Sequence, residues 1–172
     1  MWPVLRALWT ARRGRRAAVA TISPLVARSR HRLDGIPDEA WFDPYIVGFM
    51  MMLITLTARR TVTISDSHTL GTVQAEAWTQ ITRMSANTIG EETLHLSAAE
   101  HQAFEAGCRN AIAFDLALYG TSVAGVTEAM PHSIDEVEFT ADEPPHNAVG
   151  RERILALWQH YFESHIRVCG ST

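Results

Sequence analysis

Glu92-Thr-Leu-His95 sets a carboxylate and an imidazole three positions apart, a spacing that puts both on one face of a helix. Di-iron bundles use such pairs, but in duplicate and with further glutamates from other helices. The only other match, Glu143-Pro-Pro-His146, contains two prolines and cannot be helical. His101 and Glu105 stand four apart, with Cys108 a turn further on. Glu92, His95, His101 and Glu105 are therefore the candidate metal ligands, and a metal-dependent helical-bundle enzyme is one alternative for the function. The plainer reading is a solvated His–Glu pair worth a few tenths of a kcal/mol. No cofactor is expected.

The remaining chemistry is thinner. His160, Glu163 and His165 cluster near the end of the chain, where His165 falls in an apolar stripe and reads as a hydrogen-bonded core histidine. Asp115 lies among Ala113, Phe114 and Leu116; buried, it would titrate high, and an exposed edge position is preferred. Cys108 in a helix interior reads as a small inert hydrophobe. Gly120-Thr-Ser-Val-Ala-Gly125 lacks the nucleophile-elbow pattern, and neither a P-loop nor GxGxxG occurs. Cys108 and Cys169 form no CxxC pair and cannot staple a chain of 172 residues.

These residues need elements to position them. With 47% apolar and 20% charged residues the chain has an ordinary globular composition. Residues 34–44 read as a linker punctuated by Gly35, Pro37 and Pro44, with Trp41-Phe42 as an apolar anchor. Between Asp43 and Arg59 stand fifteen uncharged residues, roughly 22 Å of helix and short of a membrane span. That stretch, with Met50-Met-Met52 as filling, is the expected core helix. Residues 61–68 read as a loop ending in a cap at Asp66 or Ser67. An amphipathic helix follows from Thr69 to about Ala86, carried by Leu70, Val73, Ala77, Ile81 and Met84.

Asn87 to Leu96 contains Gly90, lacks a clear period and reads as a connection. Ser97-Ala-Ala-Glu100 reads as a capping box for a helix that runs to Tyr119 and stops at Gly120. Residues 121–148 form an acidic excursion, with a short helix allowed near Ser122–Ala129. The last helix should run from near Asn147 to about Val168 on Ile154, Leu155, Trp158, Phe162, His165 and Ile166. The fold class is all-α: an irregular bundle of about five helices, with a basic N-terminal arm and an acidic loop excursion.

The charge is divided sharply. The net value of −4 hides an arm, residues 1–33, with eight arginines and no acid, against a body, residues 34–172, with seven arginines and nineteen acids. Lysine is absent, so every cation is a guanidinium. Rich in arginine and alanine and free of acids, the arm has a transit-peptide composition. Its first turns also fit an interfacial helix, with Val4, Leu5, Leu8, Trp9 and Trp2 on one side. An ordinary first helix docked on the acidic body is the plain alternative. A nucleic-acid arm built on Arg12-Arg13-Gly14-Arg15-Arg16 is a further one, opposed by the acidic body.

Five tryptophans are more than a core of this size is expected to bury, and aromatics with arginine mark interface centres. Trp2, Trp9, Arg12, Arg13, Arg15, Arg16, Trp41 and Phe42 are therefore the candidate interaction residues. Gly35-Ile-Pro-Asp38, Trp41-Phe42, an apolar helix ending in Arg59-Arg60, Gly107-Cys-Arg109, Ala113-Phe114-Asp115 and Ala117-Leu118 resemble ubiquinol–cytochrome c chaperones over about half of the chain. The spacings drift by several residues, and the histidine expected in the apolar helix is missing. The resemblance implies an all-α assembly factor of a respiratory complex. With the composition it sets the expectation: a non-enzymatic accessory subunit or assembly factor, mitochondrial or at the periphery of a bacterial inner membrane. Its partners would be subunits of a larger complex and a membrane surface, with nucleic acid disfavoured.

Overall fold

The computed structural model describes residues 2–120 and 148–169, all helical or connecting. The chain order is α1 (Trp2–Arg32), a 3₁₀ turn (Asp38–Phe42), α2 (Pro44–Thr61), α3 (Ser67–Thr82), α4 (Ala86–Ala98), α5 (Gln102–Tyr119), α6 (Ala148–Trp158), a π turn (Gln159–Glu163) and α7 (Ser164–Cys169). This is an all-α bundle, with no strand among the described residues. No helix among them is long and apolar enough to cross a membrane. Residues 121–147 of the acidic excursion, the short helix allowed within it and Glu143–His146 lie outside the described residues.

Helix α2 is the centre, as its uncharged run requires. Asp43 caps it, its carboxylate accepting from the amides of Tyr45 (3.0 Å) and Ile46 (3.2 Å), and Pro44 opens the first turn. Apart from the half-buried Met52, every residue from Tyr45 to Ala58 is buried. Its closest neighbour is α5, and the reason is two glycines. A Cβ on Gly48 would lie 2.2 Å from the Phe104 carbonyl oxygen, and one on Gly107 would lie 2.1 Å from that of Tyr45. The Cys108 thiol fits into the same seam, 3.5 Å from the Gly48 carbonyl.

Around this crossing stands an aromatic core. Phe49 meets Phe114, Trp158 and Phe162, and Trp41 meets Phe162 at 5.9 Å and Trp78 edge-on at 6.2 Å. Three of the five tryptophans are therefore consumed by the interior, and the expected aromatic surplus shrinks. The last helix is irregular. Ile154, Trp158, Phe162 and Ile166 are all buried at a strict spacing of four. In a plain α-helix that spacing drifts by roughly 40° at each step. The wider π turn at Gln159–Glu163 reduces that drift, although α3 buries Thr69, Val73, Ala77 and Ile81 at the same spacing without one.

Several sequence expectations change. Residues 87–96, read as a connection, belong to α4, with Ile89 and Leu96 buried, so the tertiary contact outweighs Gly90. Ser97 belongs to the last turn of α4 and not to a capping box; α5 starts at Gln102 with no side-chain cap, after Glu100 takes φ +50°. The cap at Asp66 stands: its carboxylate accepts from the Thr69 amide at 2.7 Å. Gly120, at φ +69°, ends α5 in the left-handed conformation.

The segment expected as an arm packs along α2 and α3. Ala11, Ala18, Ile22, Val26 and Ser29 are buried on one face of α1, and Gly14 sits 3.3 Å (by its would-be Cβ) from Ala58 and Val62. The helix runs through Pro24, an interior proline that costs ~3 kcal/mol. Ile22 and Val26, fully buried on either side, offset that cost. The docked-helix alternative therefore describes residues 11–32.

Candidate functional site

The carboxylates and imidazoles picked out by spacing do not converge. Glu92 is half-buried and His95 exposed on α4, His101 is exposed just ahead of α5, and Glu105 pairs across one turn with Arg109 at 3.7 Å. Among the described residues no three His, Cys, Asp or Glu side chains are grouped so as to hold a metal. Cys108 faces the Gly48 seam, and burial pushes its thiol up to about 12. At pH 8 about one thiol in 10⁴ is then ionised. In a Cys169→Ser background the folded protein should resist iodoacetamide and react fully once unfolded in urea; rapid alkylation of the folded form would contradict this burial.

His160, Glu163 and His165 point three ways. Glu163 is buried and accepts from Ser29 Oγ at 2.8 Å and from Arg32. The Trp158 indole N–H donates to the same Ser29 oxygen at 2.8 Å, so α1 is clasped to the last helix by a closed polar network. His160 lies edge-on to Tyr161 at the surface. His165 stacks on Tyr45, ring centres 3.5 Å apart, while Asn110 donates to the Tyr45 hydroxyl at 2.9 Å.

Burial lowers the His165 pKa, against the opposing pull of the Asp43 carboxylate. A depressed imidazole favours the fold in its neutral form. Its contribution is fully present above about pH 6.5, the ordinary imidazole value, and is lost as pH falls through the lowered one. Thermal unfolding followed from pH 8 to pH 5 should show the wild-type Tm falling further than that of His165→Gln. Parallel profiles would contradict the assignment.

Asp115, for which an exposed edge was preferred, is instead buried at 1% exposure on α5. Arg60 reaches it from α2 with Nη2 at 2.5 Å and Nε at 3.1 and 3.2 Å from the two oxygens, and stacks over Tyr119 at 4.3 Å. Burial pushes the carboxyl up while Arg60 pulls it down, and burial prevails. This pair ties α2 to α5.

The interaction residues divide by the face of the helix that carries them. Trp41 is a correction: it is buried against Trp78 and Phe162, with Arg30 5.8 Å over its ring. Arg15 is another, turned toward the body and paired with Glu76 at 2.5 Å. Phe42 sits at the edge of the 3₁₀ turn, 36% exposed. The Trp2 side chain lies outside the described residues.

On the outward face of α1 the pattern holds together. Leu5, Leu8 and Trp9 are 60%, 62% and 57% exposed, and Arg12, Arg13 and Arg16 continue the same stripe at helical spacing. The Arg13 guanidinium lies 5.1 Å over the Trp9 ring. Ala11 is the first buried side chain along α1 among those described, so the three apolar residues stand on a helix tip ahead of the packed stretch. The sequence pattern placed Leu5 and Leu8 beside the indoles; only the packing of Ala11, Gly14 and Ala18 separates the free face from the docked one.

The class defined by fold and site is thus an all-α bundle with an apolar and basic helix tip. No family model matches the chain, and no curated protein or solved structure matches it. The resemblance to ubiquinol–cytochrome c chaperones rests on the residues quoted for it above.

Proposed function

We propose that this protein is a non-catalytic accessory subunit or assembly factor, held at a membrane-associated complex of respiratory kind. Its setting would be the mitochondrial inner membrane or the periphery of a bacterial inner membrane. The observation that carries the reading is the tip of α1, where Leu5, Leu8 and Trp9 are exposed together beside Arg12, Arg13 and Arg16. Exposed apolar side chains scattered singly need no explanation, but an indole and two leucines grouped beside guanidiniums form the kind of patch that a partner covers. The quoted resemblance to ubiquinol–cytochrome c chaperones supports the same reading.

Fractionation of cells expressing the wild type and the Leu5→Ser/Leu8→Ser/Trp9→Ser variant tests it. All three positions are exposed, so each change should alter stability by no more than about 0.5 kcal/mol. The wild type should sediment with membranes and the variant should be released to the soluble fraction. Equal partition of two equally folded proteins would remove α1 as the docking element.

A further inference from the structure

The tip of α1 also carries a statement about what it touches first. We infer that its exposed stripe binds the headgroup surface of an anionic lipid layer, with Leu5, Leu8 and Trp9 entering the acyl boundary and Arg12, Arg13 and Arg16 held at the phosphates. This rests on the docking reading above and names the partner of that same surface.

Three observations favour lipid over a protein partner. The first is order along the exposed stripe: Leu5, Leu8 and Trp9 come first and Arg12, Arg13 and Arg16 follow, over about 16 Å of axis from residue 5 to residue 16. Such an order suits a helix whose end dips below the headgroups while its middle stays among them. The second is area. Among the described side chains the stripe offers three apolar ones, where each partner in a standard protein interface brings about 20–30 residues over ~800 Å². Lipid requires no such matched surface, because it wets whatever apolar edge reaches it.

The third is the distribution of charge. Residues 1–33 carry eight arginines and no acid, whereas the rest of the chain has nineteen acids against seven arginines. Five of the eight arginines lie between Arg6 and Arg16, so an anionic surface attracts this stretch of α1. The amino-terminal end of the helix dipole has the same sign. The Trp9 ring, with Arg13 5.1 Å above it, joins the two kinds of contact, an indole at the boundary and a cation at its wet edge.

The test uses the full chain and co-sedimentation with phosphatidylcholine vesicles, with and without added phosphatidylglycerol. The wild type should pellet with the anionic vesicles and stay in solution with the neutral ones. The Arg12→Gln/Arg13→Gln/Arg16→Gln variant should bind the anionic vesicles about 100-fold more weakly, at roughly one headgroup attraction lost per arginine. Raising the salt should weaken the wild type toward the same level, because exposed charges are screened within a Debye length. Leu5→Ser/Trp9→Ser should lose most binding at every salt concentration. Circular dichroism of each variant keeps a folding defect from passing for a lost contact.

A wild type that ignores anionic vesicles at low salt overturns the lipid inference; so does a triple-glutamine variant that binds as the wild type does. The two readings separate cleanly. A protein that co-migrates with a native complex yet leaves vesicles untouched docks on protein, and the lipid contact is wrong. One that binds vesicles but runs alone from solubilised membranes contradicts the accessory-subunit reading and retains the lipid contact.

Discussion

Gly107→Ala should cost about 3 kcal/mol or more, one of the two largest losses available from a single change in this chain. Its Cβ would stand 2.1 Å from the Tyr45 carbonyl oxygen and 2.7 Å from the Phe49 amide nitrogen. Both are backbone atoms of α2, so no rotamer change relieves the clash and the two central helices must part. Parting them loosens Phe49 from Phe114 and opens the seam that holds Cys108. The measurement is a urea midpoint with unchanged slope. Gly71, inside α3 with nothing within 4 Å of a would-be Cβ, supplies the contrast: Gly71→Ala should stabilise by about 0.5–1 kcal/mol. Equal effects at the two glycines would contradict the close crossing.

The second large loss is expected at Asp115. Asp115→Ala removes the carboxylate that takes Arg60 Nη2 and Nε, so the guanidinium, itself only 16% exposed, loses this buried contact. Breaking one side of a buried pair costs about 3–5 kcal/mol, because the remaining charge stays desolvated. Replacing both members by apolar residues of similar size is close to neutral in comparable pairs. Arg60→Met/Asp115→Leu should therefore recover most of what Asp115→Ala loses. A double variant as unstable as the single one would show that the pair does more than satisfy its own burial.

How far the sequence discloses this protein depends on the strength of each local signal. The uncharged run after Asp43, too short for an ordinary membrane span, reads as a core helix, and the Val73, Ala77, Ile81 stripe and the Gly120 stop are equally plain. Helix α4 was hidden because Gly90 breaks its local preference, and the burial of Ile89 and Leu96 that rescues it comes from the rest of the bundle. The false capping box at Ser97 follows from the same error, since a cap motif acquires meaning only from where the helix begins. The π turn left no trace in the sequence: the fourfold spacing of Ile154, Trp158, Phe162 and Ile166 is also that of Thr69, Val73, Ala77 and Ile81, which α3 buries without one.

The exposed face of α1 is half legible. Composition separated the basic segment from the acidic body, and the pattern grouped its leucines and indoles. Which arginines stay free could not be read: Arg15 turns to Glu76 and Arg32 to Glu163, while Arg12, Arg13 and Arg16 remain outside. Trp41 was misassigned for a related reason. Its Gly- and Pro-flanked setting looks like a linker, but the 3₁₀ turn folds it under α3 against Trp78.

An accessory subunit spends its time docked on a larger complex. Gentle detergent extraction from the native source, followed by blue-native electrophoresis and mass spectrometry of the band, measures that directly. The expected result is a particle far larger than 19.1 kDa that contains membrane-complex subunits. Migration of the wild type near 19.1 kDa with no companion would contradict the central claim.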